Sequence, residues 1–561
     1  MNLLEAAWIP VRRASGVHAR IAPFQLTEGA DEDPIVALDA PRADFNGALV
    51  QFLIGLVQTA WALGNDDWDP DGMLDHPPAP SVLQAKFAPL RSAFELDGDG
   101  PRYMQDRTLS DADKPTTNAI AALLIDAPGE QTLKRNIDHF IKRDGVRALC
   151  KDCAATALTT LMTNAPAGGA GQRTSLRGGG PLTTLVVYQP ETANHPPRTL
   201  WRDIACNVLT RAEAQAPASG QPTGLEAVFP WFAPQNITQK PGPKAETQPL
   251  DVHPLHVYWA MPRRIRLDFE HATQGTCDLC GRSNRPLVSR YATRNYGLNY
   301  KGPWQHPLSP YYTGKPGQPP LPVHAGPDGL GYRHWLGWVL GSTDGSRNVL
   351  PARVISAALS RDAEAPLRLW TFGYDMDKMK ARGWCEGTFP LFHLPQSLPD
   401  AHKHLGDIVA QLLAASSLAS FALRIHLRDV WFGAGEASGN LGFIDASFWS
   451  ATERTFFQYL HEAAALVRAH DGWPSPEQTL PLRETWTGEL RRVALNLFDR
   501  YAASGNIEAC HPERLAAAFH GLERQLAAPL QKAAGIPVHE TQTGRRQRAA
   551  LTQAQPNQEA P

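Results

Sequence analysis

The chain has 561 residues, 43% hydrophobic and 20% charged, with 54 Lys and Arg against 56 Asp and Glu. That length exceeds what one hydrophobic core can fill, because single cores stop growing near ~250–300 residues, so at least two domains are expected. The composition excludes a fibrous or wholly disordered chain, and the net charge of −2 excludes a globally basic binder, so any site for a polyanion must be local.

The opening Met1-Asn2-Leu3-Leu4-Glu5 has no basic segment or small-residue cleavage site, which predicts no signal peptide. No apolar run approaches the ~18 residues that span a bilayer; the best, Leu412 to Leu423, is broken by Ser416, Ser417 and Ser420. A cytoplasmic protein with no membrane partner is expected. In that reducing compartment the seven cysteines read as thiols or metal ligands rather than disulfides.

Residues 1–400 mix short apolar runs with Pro- and Gly-rich turns. Ala155 to Leu161 has the pattern of a helix and Thr183 to Tyr188 that of a strand. These features predict a large mixed α+β domain. Ala214 to Gly224 and Gln239 to Pro249 carry turn-forming residues and little apolar content, and are expected to be surface insertions.

Over residues 401–535 apolar residues recur at three- and four-residue steps. Leu405 to Val430 forms one segment. Trp449, Thr452, Phe456, Tyr459, Ala463 and Leu466 form a stripe, and Trp486, Leu490, Val493, Leu497 and Tyr501 another. A further helix opens at His511-Pro512-Glu513, with Pro in its first turn. Four helices predict a four-helix bundle. Residues 536–561 turn polar and are expected to be a disordered tail.

The strongest chemical motif is a pair of CxxC knuckles, Cys150/Cys153 and Cys277/Cys280. Two intervening residues let both thiolates of a knuckle reach one ion, and two knuckles complete a tetrahedral sulfur shell with no open position. That is the pattern of a structural Zn2+ site. Two unrelated buried or redox pairs are the alternative.

The stapled segments are also basic. Residues 134–177 and 263–301 each carry a net charge of +5, so zinc would gather a local basic surface able to contact phosphates; a solvated charged face is the plainer reading. Between the cysteine pairs lie Ala167-Gly168-Gly169-Ala170-Gly171 and Gly178-Gly179-Gly180, small residues that let backbone approach a ligand. No P-loop, GxSxG elbow, HExxH or kinase signature is present, so an enzyme is not expected.

With Asn2-Leu3-Leu4, Trp8-Ile9-Pro10-Val11-Arg12, Tyr103-Met104-Gln105, Ser175-Leu176-Arg177-Gly178-Gly179, His306-Pro307-Leu308-Ser309-Pro310 and Gly373-Tyr374 in this order around the knuckles, the chain resembles the CasA family. That family is the large subunit of the type I-E CRISPR surveillance complex called Cascade. The resemblance implies a non-catalytic subunit that recognises the protospacer-adjacent motif in double-stranded target DNA from the minor groove. It also implies the start of strand separation, recruitment of a helicase-nuclease effector, and contact with the guide RNA 5′ handle and other Cascade protein subunits.

Carried over by position, the family's glycine loop falls on Ala167, Gly168, Gly169, Ala170 and Gly171, with Arg173 beside it. Its basic finger falls on Arg294 or Asn295. Its wedge falls on Asp377, Lys378 and Met379, which lack the family's glutamine; Lys378 could hold a phosphate while Met379 wedges between base pairs. Its mobile loop covers Arg135 to Arg147, with Arg135, Lys142 and Arg143 as contacts. Two rival readings are a free-standing zinc-containing nucleic-acid-binding protein and a hydrolase or nuclease with scattered catalytic residues.

Overall fold

The computed structural model describes residues 1–538 apart from 65–66, 110–113, 137–144, 191–195, 243–244, 315–316, 345–346, 362–366, 379, 393, 396, 399, 433–438 and 505–510. Lys142, Arg143, Met379 and the expected tail beyond 538 therefore lie outside the described residues. The chain forms two compact units. One comprises Met1–Leu330 with Gly337–Gln396, the other Gly331–Leu336 with the residues from Ser397 onward.

The first unit is organised on the helix Ala43–Ala62, which is apolar around most of its circumference and is consequently buried along nearly its whole length. Edge-on ring contacts join Phe52 to Trp8 at 5.4 Å and to Phe94, Tyr103 and Trp259 at 5.8 to 6.0 Å. Around this core, the described strands form five small sheets, in which every named strand pairing is antiparallel.

Three of these sheets position the candidate site. The first orders Leu149–Cys150, Arg285–Val288 and Thr273–Gly275; the second orders Thr116–Ala119, Arg290–Arg294 and Arg264–Leu267. The third pairs the long hairpin Leu367–Asp377/Lys380–Pro390 with Thr183–Tyr188. Thr183–Tyr188, expected as a strand, is one and is buried at every residue. The expected helix at Ala155 to Leu161 runs further, over Lys151–Asn164.

The second unit contains the helices Ala401–Trp431, Gly442–Ala469, Pro476–Ser504, Pro512–Gln525 and Ala528–Ala533. Each of the other four packs on Ala401–Trp431. The buried stripe of Gly442–Ala469 is Ile444, Phe448, Thr452, Phe456, Leu460, Ala463, Ala464 and Val467. Trp449, Tyr459 and Leu466, expected on that stripe, are its half-buried flanks. In Pro476–Ser504 the expected Trp486, Leu490, Val493 and Leu497 are buried.

Two helices, Ala43–Ala62 and Ala401–Trp431, are long and apolar enough to cross a membrane, which corrects the expectation that no segment would be. Searching for unbroken apolar runs overlooks helices whose apolar residues are interleaved with Gly, Ser, Gln and Thr. In Ala43–Ala62, 89% of the apolar window is buried inside the protein, as befits a core helix.

Candidate nucleic-acid interface and four-cysteine centre

Cys150 is the last residue of a short strand and the N-cap of the helix Lys151–Asn164, so Cys153 lies in the first helical turn. Cys277 and Cys280 follow the strand Thr273–Gly275, and Gly281 closes their turn with φ +69°, donating to the Cys277 carbonyl at 2.9 Å. Pairing of Cys150 with Leu287 places the two turns face to face. The four Sγ atoms lie within 4.8 Å of one another.

Cys150 and Cys280 Sγ are 3.7 Å apart, close to the ~3.8 Å edge of a tetrahedron with metal–sulfur bonds of ~2.3 Å. Cys150, Cys153 and Cys277 are buried, and Cys280 is partly exposed. As thiols they compete for charge. Hydrogen bonds with Cys150 and then Cys153 pull Cys277 below the ordinary thiol range, while those with Cys150 and Cys277, together with burial, push Cys153 above it. A divalent cation removes that competition by stabilising all four thiolates, and the donor set fits a soft four-coordinate ion.

The surroundings brace this cluster. The Cys150 N–H donates to Cys277 Sγ at 3.3 Å. The Asp278 carboxylate accepts from the backbone of Arg147 and Ala148 at 2.7 and 2.8 Å, fastening the end of the expected mobile-loop segment to the second knuckle. Asp152 pairs with Arg282 and, at 3.3 Å, with Arg20.

Two arms leave the cluster and meet again. The helix Lys151–Asn164 carries the chain to Ala165 and the glycine loop; the strands Arg285–Val288 and Arg290–Arg294 carry it to Asn295 and Tyr296. There the loop docks. Asn295 Nδ2 donates to the Ala170 carbonyl at 2.7 Å, Gln172 Nε2 donates to Asn295 Oδ1 at 2.8 Å, and the Tyr296 N–H donates to the Gly171 carbonyl at 2.7 Å. Ala167, Gly168, Gly169 and Ala170 remain exposed.

The structure thus brings the glycine-loop residues and the expected finger together. Asn295 is engaged internally through both amide atoms, and Arg294 and Asn295 are both exposed. Arg173 is half-buried, with its guanidinium 5.8 Å over the Tyr296 ring and donating to the Gln239 carbonyl at 2.9 Å. Arg263 donates to the Pro166 carbonyl at the base of the loop. Sequence reasoning did not single out Gln172, Arg263, Tyr296, Gln239 or Asp278 as parts of this arrangement. Asp278 lies between the cysteines of the second knuckle without being a ligand, the others belong to no motif, and all their partners lie far away in the chain.

Gln239 to Pro249, expected to be a surface insertion, is exposed over much of its described length and also supports this site. Gln239 accepts from the Asn299 N–H at 2.6 Å, its N–H donates to the Tyr296 carbonyl at 2.9 Å, and buried Thr247 donates to the Asn299 carbonyl at 2.9 Å.

The segment expected to be the wedge occupies the tip of the long hairpin. Its last pair is Asp377 with Lys380, and Lys378 has φ +56°, as tight hairpin turns require. Asp377, Lys378 and Lys380 are exposed. The shaft is tied back to the glycine-rich segment, since a Cβ on Gly180 would stand 2.6 Å from the Tyr374 Cβ and one on Gly179 2.9 Å from the Pro166 Cα. Arg135, exposed, follows the helix Glu130–Lys134.

Much of the expected basic surface is internally neutralised. Arg264 pairs with buried Asp106 at 2.6 Å, Arg290 with Asp268 at 2.5 Å, Arg266 with Glu270 at 3.0 Å and Lys151 with Asp97 at 3.0 Å. Arg177 is buried. Asp97 and Asp106 lie outside the segments whose charge predicted that surface, so a local charge sum overstated it.

The family model for the CRISPR-associated protein Cse1 matches residues 2–497. Among solved structures, Cse1 from Acidimicrobium ferrooxidans is similar at 16% identity and TM-score 0.64, covering 95% of this chain and 99% of its own. Cse1 from Thermobifida fusca is similar at 14% identity and TM-score 0.61, covering 96% and 99%. A chain of a CRISPR RNA-guided surveillance complex is similar at 15% identity and TM-score 0.63, covering 94% and 99%.

Proposed function

The chain belongs to the CRISPR-associated Cse1 family, and from that premise we propose that it is the large, non-catalytic subunit of a type I-E RNA-guided surveillance complex that reads the protospacer-adjacent motif in duplex DNA. The observation that carries this reading is the exposed Ala167–Ala170 loop, braced from beneath by Asn295 and flanked by exposed Arg294. A slim backbone held rigidly beside a cation suits the narrow minor groove, where little more than A·T against G·C can be distinguished.

In this reading Arg294 is the finger, because it is exposed beside the loop and carries the positive charge that the Asn295 amide lacks. The hairpin tip at Asp377 and Lys378 enters the duplex next to the motif. Lys378 holds a phosphate while strand separation begins, and base pairing with the guide RNA then reads the remaining sequence, a division of labour known from other RNA-guided systems. Arg135 and the segment around Lys142 and Arg143 meet nucleic acid or the guide RNA 5′ handle.

The four cysteines hold a structural zinc ion that fixes the frame and takes no part in chemistry. The second unit acts as a four-helix bundle with Ala528–Ala533 as a short appended helix. It faces other Cascade subunits, and the assembled protein recruits the helicase-nuclease.

The test is co-purification of the tagged full chain with guide RNA and the other Cascade proteins, followed by duplex binding by the assembled complex. Motif-selective binding that Arg294→Ala weakens by about tenfold or more supports the proposal; one good base contact is worth ~1–3 kcal/mol. Tight, selective duplex binding by the isolated chain would instead identify a free-standing nucleic-acid binder. Metal-dependent DNA cleavage by the chain would identify a nuclease.

A further inference from the structure

Arg177 is a buried guanidinium of the first unit, 4% exposed, and no carboxylate among the described residues forms an ion pair with it. Its Nη1 donates to Thr183 Oγ1 at 3.1 Å and Ser309 Oγ at 2.9 Å, and its Nη2 donates to Gln51 Oε1. All three acceptors are neutral, and a guanidinium has five N–H donors. Burying a charge without a counter-charge is expensive.

The guanidinium lines a small cavity of about 30 Å³ together with Gln51, Thr159, Ser175, Tyr258 and His306. The Tyr258 hydroxyl is buried and has no hydrogen-bond partner. His306 brings no negative charge. Its Nδ1 accepts from the Leu308 N–H at 3.1 Å, and burial, reinforced by Arg177, drives its imidazole to the neutral form. The other charged group acting on Tyr258 is Arg353, again a cation. Arg177 and the unpartnered Tyr258 hydroxyl thus belong to residues lining this space, and no carboxylate among the described residues pairs with the guanidinium.

We propose that this cavity holds one halide ion, bound between the Arg177 guanidinium and the Tyr258 hydroxyl. A water needs only ~10–15 Å³ of such space, so the cavity has room for a monoatomic ion. Water could accept the free N–H groups but would leave the charge uncompensated. Burial lowers the guanidinium pKa to about 10, which still leaves it charged at neutral pH. The ion sits where Ser175 to Thr183 joins the glycine loop to the strand Thr183–Tyr188 that pairs with the hairpin, so it stabilises that junction from within.

Crystals of the full chain grown in sodium bromide test the proposal. An anomalous bromide peak within hydrogen-bond reach of Arg177 is expected; its absence overturns the assignment and makes the occupant water. In solution, the melting temperature is expected to be higher in chloride or bromide than in gluconate at equal ionic strength. Tyr258→Phe removes an oxygen that makes no hydrogen bond within the protein, so the fold should persist while the halide-specific gain shrinks. A gain that is unchanged in this variant would place any halide elsewhere and overturn the site. Neither readout involves nucleic acid, so the outcome is independent of the proposed DNA-reading role.

Discussion

A methyl group on Gly171 would lie 2.8 Å from the Asn295 Cβ and 2.9 Å from the Tyr296 ring, with the backbone at φ +75°. Steric overlap and left-handed strain act together there, whereas the neighbouring Ala170 already tolerates a Cβ and is exposed. The two positions therefore separate loop architecture from loop function. Gly171→Ala is expected to lower stability by about 1–3 kcal/mol, detected as a lower melting temperature of the full chain. Ala170→Trp, an exposed change, is expected to leave stability within about 0.5 kcal/mol, while weakening motif-containing duplex binding by the assembled complex about tenfold or more. Unchanged affinity for the Ala170→Trp complex would exclude the loop from the groove.

At the scale of elements, the helix Lys151–Asn164 links the four-cysteine cluster to the glycine loop. Its first turn carries Cys150 and Cys153 at the end where the helix dipole favours thiolates. Its buried polar residues satisfy themselves along the helix, with Thr159 donating to the Ala155 carbonyl at 2.9 Å and Thr160 to the Thr156 carbonyl at 2.8 Å. The opposing arm returns through Arg290–Arg294 to the same loop, so the frame is fixed at the cysteines and again at Asn295. Structural zinc binding is coupled to folding. Cys150→Ser combined with Cys277→Ser is thus expected to remove bound zinc, from about one ion per chain to none by elemental analysis, and to lower the melting temperature by about 10 °C or more. Wild-type protein free of zinc would refute the metal assignment. Metal loss with an unchanged melting temperature would show that the ion does not support the frame.

For the whole molecule, acid stability depends on buried histidines of the first unit. His256 contacts Tyr300 Oη at 2.9 Å and the Ala227 carbonyl at 3.2 Å, and burial lowers its pKa to about 4. Because the folded imidazole resists protonation, its contribution to stability is full above about pH 6.5 and declines as the pH falls. By about pH 4 roughly 3 kcal/mol is lost, at ~1.4 kcal/mol per pH unit. His256→Gln should flatten the stability–pH curve between pH 4 and 6.5 in denaturant titrations; parallel curves for the two proteins would exclude His256 as the source.

What the sequence determined by itself is the chemistry and periodicity that neighbouring residues share. CxxC spacing brings two sulfurs to one turn whatever the rest of the fold does, and the unbroken run Thr183 to Tyr188 forms a buried strand. Resemblance extended that reading to the glycine loop and the hairpin tip. Only tertiary structure decided which side of a helical stripe is buried, as at Phe448 and Trp449, because adjacent residues differ by little more than a quarter turn. Long-range pairing also decided that Asn295 braces the loop, that Asp106 neutralises Arg264 from 158 residues away, and that Arg177 has no carboxylate partner among the described residues. Charge compensation and hydrogen-bond satisfaction depend on distance in space, which spacing along the chain does not encode.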